Sequence, residues 1–232
     1  MVNIIKFIKH PELLLNFGIG KIVETYNMTI HNSYSQRQED ILIDTFLKNK
    51  NHGFYVDVGA NDPIKLNNTY RFYKRGWTGI NIEPHKLRFK KLSKVRPNDI
   101  NINIGISKKP GILKYYEMHP DVVSTFSKEE MERLKKDNIQ VVNVLPIRVE
   151  RLSFILDKYN PKEIDLLSVD TEGFDLDVLE SNNWKKYSPK LICVEIDKDK
   201  PLAIKKFMKT KGYEEVFNNK LNSFFMKKKE YI

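Results

Sequence analysis

The stretch Phe54-Tyr55-Val56-Asp57-Val58-Gly59-Ala60-Asn61-Asp62-Pro63 restricts the fold of this chain more than any other. Apart from Asp57, its first five residues are apolar, aromatic or β-branched, the pattern of a strand buried in a parallel sheet. Gly59 ends the run. Glycine tolerates positive φ and lets backbone come close to a ligand. Pro63 suits the entry to a helix, because its fixed φ fits the first turn and its missing N–H costs nothing there. A strand, a glycine turn and a helix make the ligand-binding corner of a doubly wound sheet. The turn has one glycine in place of G-x-G-x-x-G, which argues against a pyrophosphate-bearing dinucleotide. An ordinary βα turn would present the same residues.

The next strand reads from Trp77-Thr78-Gly79-Ile80-Asn81-Ile82 into Glu83-Pro84. Asp57 and Glu83 are 83 − 57 = 26 positions apart, near the roughly 20-residue offset at which an acidic side chain meets ribose hydroxyls. Pro84 stops the strand and opens a helix.

DVGANDP, RGWTGINIEP, the later STFS and LLSVDTEG, and the early YSQRQED together resemble the FkbM family of S-adenosylmethionine-dependent methyltransferases. The resemblance runs from about Tyr34 to Phe225, and it rests on the order and spacing of the motifs. It implies an α/β, Rossmann-like class I methyltransferase fold. The sheet would be mostly parallel and seven-stranded, in the order 3-2-1-4-5-7-6, and flanked by helices. It also implies S-adenosyl-L-methionine as cofactor and, as acceptor, a hydroxyl on a sugar or polyketide. Here a glycan or glycan precursor is the expected acceptor.

Residues 1–33 read as a helical lead-in, with Leu13, Leu14, Leu15, Ile19, Ile22 and Val23 on an apolar face that would pack on the domain or on a second subunit. The methyltransferase domain then spans 34–232. In Tyr34-Ser35-Gln36-Arg37-Gln38-Glu39-Asp40 two readings are open. Ser35 caps a helix, with Gln38 completing a capping box, or, as the family suggests, the segment carrying Gln36 lies over the cofactor. Leu66 to Lys74 reads as a helix ended by Gly76, and Lys86 to Val95 as another. Ile100 to Ile106 alternates strictly and reads as the third strand. Ser127 caps a charged helix, Val141 to Val149 is extended, and Leu152, Ile155 and Leu156 share a helix face. Ile164 to Val169 and Lys190 to Ile196 are the fourth and fifth strands. Tyr213 to Phe217 and Asn222 to Met226 form a closing hairpin.

Within the implied methyltransferase, backbone N–H groups at Gly59, Ala60 and Asn61 meet the cofactor carboxylate at a helix N-terminus. Asp57 attracts its ammonium, directly or through water. Glu83, with Pro84 behind it, holds the ribose. Asn103, or a polar neighbour, reads the adenine edge unless it simply faces solvent. A hydroxyl acceptor needs a base, worth roughly 10²–10⁴-fold. Asp170 and Glu172, two carboxylates on one turn after the fourth strand, fit that position, although either would also suit a helix N-terminus. His119 and His85 are alternative bases. Asp170 and Glu195, at adjacent strand tips, are candidates for a hard divalent ion. One cysteine and five histidines without zinc spacing argue against structural zinc.

The formal charge of +10 admits an anionic partner. The excess is mostly lysine, however, without the arginine forks and aromatic platforms of nucleic-acid readers. No apolar run reaches the roughly 18 residues of a membrane span, and the first twenty residues lack a signal-peptide h-region. The lone Cys193 in an apolar run points to a core position and a reducing, cytoplasmic setting. The rival functions are methylation of nitrogen or of a small metabolite, non-catalytic nucleic-acid binding, and nicotinamide-dependent oxidoreduction.

Overall fold

The computed structural model describes residues 26–196 and 201–228. The expected lead-in helix face lies outside the described residues. Ten strands follow in chain order: β1 (Phe54–Val58), β2 (Thr78–Ile82), β3 (Ile100–Ile102), β4 (Gly105–Ile106), β5 (Gly111–His119), β6 (Gln140–Glu150), β7 (Leu166–Val169), β8 (Leu191–Glu195), β9 (Tyr213–Asn218) and β10 (Asn222–Lys227). The helices are α1 (Glu39–Phe46), α2 (Tyr70–Lys74), α3 (Lys86–Val95), α4 (Lys128–Lys136), α5 (Leu152–Tyr159), α6 (Asp175–Glu180) and α7 (Pro201–Thr210).

Seven strands form one sheet in the order β3-β2-β1-β7-β8-β10-β9. Counted within that sheet alone, the order is 3-2-1-4-5-7-6, as expected. The labels differ because β4, β5 and β6 form a separate three-stranded sheet, ordered β4-β6-β5. The five strands from β3 to β8 pair in parallel, and β10 runs antiparallel to both β8 and β9.

Strand alternation assigns the core residues to two layers. Val56, Val58, Ile80, Ile82, Leu167, Val169, Ile192 and Val194 face one layer with Leu152, Ile155 and Leu156 of α5. Tyr55, Leu166, Leu191 and Cys193 face the other with Ile43 of α1, Phe72 and Trp77. Each such side chain, when fully buried, contributes about 1.5–3 kcal/mol. Asp57 shares the face of Tyr55. In register with it stand Asn81 of β2 and Ser168 of β7, and Cys193 of β8 follows next to Ser168. A polar row therefore crosses the middle of an otherwise apolar layer.

Local expectations need correction at four places: Pro63, the helix start at Leu66, the run 100–106 and Ser35. Pro63 opens no helix, since the segment after β1 stays irregular until α2 begins at Tyr70. Leu66 has φ +51°, and the Asn67 side-chain oxygen accepts hydrogen bonds from the N–H groups of Thr69 (2.9 Å) and Tyr70 (2.8 Å). That Asx-type turn holds the chain out of a helix until residue 70. The alternating run 100–106 splits into β3 and β4, which belong to different sheets. At the break, the Asn103 amide donates to the carbonyls of Glu83 and Pro84, both at 2.8 Å. The Ser35 capping box does not form. Gln38 precedes α1 with φ +62° and makes no side-chain cap, while the Ser35 hydroxyl accepts from the Asp40 N–H at 3.1 Å.

Candidate active site

At the C-terminal edge of β1, Gly59 has φ +83°. A Cβ there would lie 1.8 Å from the carbonyl oxygen of Asp170, so only glycine lets the ends of β1 and β7 close on each other. The N–H groups of Gly59 and Ala60 donate to the Ile82 carbonyl (3.0 and 3.3 Å). The N–H of Asn61 donates to Glu83 Oε2 (2.8 Å). The three N–H groups expected to cradle a carboxylate thus donate to the end of β2 and to Glu83 beyond it, and the next helix begins only at Tyr70.

Glu83 is almost fully buried. Its two oxygens accept from the N–H groups of Asn61 and His85 (2.7 Å). Burial pushes its carboxyl above the usual range, and these two hydrogen bonds oppose the rise. Each carboxylate oxygen retains a lone pair for a further donor. Glu83 lines the cavity, as do Pro84, Gly59 and Asn61. Ala60 is buried outside that lining.

Asp57 also lies outside the cavity lining. The Thr69 hydroxyl donates to it at 2.7 Å, a further hydrogen bond joins it to Ser168, and the Arg96 charge is near. Burial drives its carboxyl upward, against these three influences. Its period-2 position turns it into the layer beneath the site. Above the same row, the Asn68 amide donates to Ser168 Oγ (3.3 Å), and Asn68 does line the cavity.

Arg96 carried no sequence signal, yet it organises this corner. Its fully buried guanidinium donates to the Pro63 carbonyl (2.8 and 2.6 Å), Asn67 Oδ1 (2.6 Å), Thr69 Oγ1 (2.8 Å) and Asn81 Oδ1 (3.3 Å). It also stands over the rings of Tyr70 and Tyr73, at 5.4 and 5.6 Å. Arg96 thereby pins the irregular 63–69 segment that presents Asn68.

After β7, Asp170, Thr171 and Glu172 line the cavity. Asp175, the first residue of α6, shapes the turn. Its carboxylate accepts from Thr171 N–H (2.9 Å), the Thr171 hydroxyl (3.0 Å) and Gly173 N–H (3.1 Å). The Thr125 hydroxyl donates to the Glu172 carbonyl at 2.7 Å. Glu172 and Gly173 both take positive φ, +53° and +88°. Ligand oxygens of Asp170, Glu172 and Glu195 come within 4.8 Å of one another.

The cavity runs along the strand tips. On one side of β1 it is bounded by Glu83, Pro84, Arg88, Gly105, Ile106, Tyr115, Asp121 and Phe126. On the other side stand Gln36, Glu39, Asn68, Asp170, Glu172 and Asn222. From β2 to β10 is four strand spacings, roughly 19 Å, long enough for two ligands end to end. Gln36 and Glu39 of the 34–40 segment line the cavity. His119 is exposed at the end of β5 and does not line the cavity, so it is withdrawn as a base. His85 is buried, its Nε2 paired with Glu117 Oε1 at 2.9 Å, and is likewise outside the lining. Asn103 is exposed and also outside it, with its amide committed to Glu83 and Pro84. Sequence reasoning missed Asn68, Arg88 and Asn222 as well as Arg96. A polar residue opening the apolar strand Asn222-Ser223-Phe224-Phe225-Met226 was the one available signal.

The model of the methyltransferase FkbM domain matches residues 57–215. The chain belongs to the FkbM methyltransferase family. Membership makes it an S-adenosylmethionine-dependent methyltransferase. A buried carboxylate with spare acceptor capacity stands after β2, and beside it is a slot walled by Ile106, Tyr115 and Phe126. Among solved structures it is similar to a Pyrococcus horikoshii protein assigned as an RNA methyltransferase. That match has 10% identity, covers 82% of each chain and has a TM-score of 0.45. It is also similar to a TehB-like SAM-dependent methyltransferase of Corynebacterium glutamicum, at 10% identity over 82% of this chain and 87% of that one, TM-score 0.42. A comparison with curated protein sequences finds no match. No helix among the described residues is long and apolar enough to cross a membrane.

Proposed function

We propose that the protein methylates a hydroxyl of a sugar, within a glycan or a glycan precursor. The observation that carries this reading is the group of polar side chains Gln36, Glu39, Asn68, Asp170, Glu172 and Asn222 in a cavity that Leu66 and Phe174 also line. An acceptor rich in hydroxyls is recognised by such hydrogen-bonding side chains, whereas an aromatic or aliphatic acceptor would need apolar surface. When bound, S-adenosylmethionine supplies a methyl group on a sulfonium for in-line displacement by the acceptor oxygen.

The chain's own residues orient the two partners. Glu83 accepts hydrogen bonds from the ribose hydroxyls. Asn61 and Asn68 line the middle of the cavity and offer amides to the amino-acid end. The carboxylates of Asp170 and Glu172 face the acceptor and draw the proton from its oxygen. The Asp175 turn fixes where they stand. Positioning of this kind accounts for most of the contribution an enzyme makes to a displacement that needs no covalent help.

The test is methyl transfer from labelled S-adenosylmethionine to a panel of free sugars, nucleotide sugars and lipid-linked sugars, alongside calorimetric titration with S-adenosylhomocysteine. Transfer to a sugar hydroxyl is expected. Asp170→Asn and Glu172→Gln should lower its turnover by roughly 10²-fold or more, with little change in S-adenosylhomocysteine affinity. Full turnover in both variants would remove these carboxylates from proton transfer. Transfer to amines in place of hydroxyls would replace the acceptor class.

A further inference from the structure

We infer that the acceptor end of the cavity holds one hard divalent cation, bound by Asp170, Glu172, Glu195 and the side-chain carbonyl of Asn222. Asp170 directly follows β7, and Glu195 is the last residue of the neighbouring β8. Glu172 reaches the same point from the positive-φ turn. Their ligand oxygens lie within 4.8 Å of one another. Opposite ligands around one ion with metal–oxygen distances of about 2.0–2.4 Å are about 4.0–4.8 Å apart, so the three can share a single ion without rearranging the strands.

Asn222 supplies an observation independent of the acidic cluster. It pairs with Glu195 across β8 and β10, and directly opposed residues project their side chains from the same face of the sheet. Its side chain is 4% exposed. The Asn222 amide nitrogen donates to Glu39 Oε1 at 3.2 Å, while its Oδ1 is buried with no hydrogen-bond partner among the described residues. Exchanging the amide atoms would set a carbonyl against the Glu39 carboxylate, so the orientation is fixed by its surroundings. A buried carbonyl left unpaired carries a desolvation penalty, and an ion beside Glu195 relieves it. The donor set is all oxygen, which selects Mg²⁺, Mn²⁺ or Ca²⁺ over zinc.

The role of the ion in catalysis rests on the reading of this cavity as an O-methyltransferase site. There, the acceptor hydroxyl enters the coordination shell and its pKa falls. The O–H bond breaks with its electron pair left on oxygen. The proton passes to the outer oxygen of Glu172, bound to the ion through one oxygen, and from there to water.

The experiment is titration of the full chain with Mn²⁺, followed by electron paramagnetic resonance, with calorimetric titration of S-adenosylhomocysteine on the same preparation. One Mn²⁺ per chain is expected, displaced by excess Mg²⁺. Glu195→Gln and, separately, Asn222→Leu should weaken Mn²⁺ binding by roughly tenfold or more, with retained S-adenosylhomocysteine binding reporting an intact fold. Normal S-adenosylhomocysteine binding without Mn²⁺ binding overturns the ion site and leaves the methyl-transfer reading standing. Mn²⁺ binding without S-adenosylhomocysteine binding upholds the ion site and overturns that reading. Mn²⁺ affinity unchanged in both variants overturns the ligand assignment.

Discussion

Replacing Arg96 by Met keeps the length of the side chain and removes its charge and donors. Arg96 makes five donor contacts from a fully buried position. Their loss leaves the Pro63 carbonyl without a donor among the described residues, a penalty of about 1–3 kcal/mol. It also deprives Asp57 and Asp99, both in buried positions, of the cation that favours their charged forms. With several buried acceptors left short of a donor at about 1–3 kcal/mol each, the total comes to about 3–5 kcal/mol, a large share of the roughly 5–15 kcal/mol of a typical domain. The urea midpoint at pH 7 should fall by roughly 2 M for an m-value near 2 kcal/mol/M. The sign of the pH dependence follows from the carboxyls. Burial raises both Asp57 and Asp99 in the folded state, and loss of Arg96 raises them further. Groups raised on folding contribute most below their unfolded pKa, and that contribution fades as pH rises through the folded value. The penalty should therefore shrink as the pH is lowered from 8 toward 5. A loss below about 1 kcal/mol, or a penalty that grows on acidification, would refute the reasoning.

Gly59→Ala puts a Cβ on the Asp170 carbonyl at positive φ, a backbone strain of about 1–3 kcal/mol before the clash is counted. It should lower the urea midpoint and weaken S-adenosylhomocysteine binding together, and an unchanged pair of values would contradict the close approach of β1 and β7. Glu83→Gln turns an amide nitrogen toward one of two backbone N–H groups and removes the charge offered to ribose. S-adenosylhomocysteine affinity should fall by roughly 10–100-fold, at about 1.5–3 kcal/mol for a charged hydrogen bond. Equal affinity by calorimetry would take Glu83 out of the ribose site. Burial pushes Asp175 up to about 6. Its contribution to stability is full below the ordinary carboxylate value of 3.8 and is lost as pH rises through about 6. Relative to Asp175→Asn, the unaltered chain should lose up to about 3 kcal/mol between pH 4 and 7. A flat difference in urea stability across that range would contradict the shift.

The strand signals were legible because burial on two faces leaves dense apolar runs, as in Tyr55 to Val58 and Leu166 to Val169. The ends of those runs fixed which residues reach the sheet edge, and so Gly59, Glu83, Asp170 and Glu172 were found from position alone. What misled was local geometry set by distant partners. Asp57 looked like a ligand-facing acid because its strand ends at the site, but alternation turned it under the sheet toward Thr69 and Ser168. Pro63 looked like a helix start, while the following backbone is held open by Asn67 and by Arg96, 33 residues further on. The run 100–106 alternates along its whole length, but a strand can change sheets without any break in its polarity pattern. Arg96 was invisible, and Asn222 showed only as a polar residue opening an apolar strand, because their partners at Pro63 and Glu39 are remote in sequence.

The hydrogen bonds between Glu39 and the tip of the last hairpin join the two ends of the described chain. Glu39 Oε1 accepts from Asn219 and Asn222 across separations of 180 and 183 residues. Closing so long a loop costs conformational entropy that no local contact offsets, and it must follow the docking of β10 against β8. During synthesis, then, the strands that hold Gly59 and Glu83 can pair while the chamber still lacks a wall. The cavity therefore has its Asn222 wall only once the closing hairpin has docked against β8.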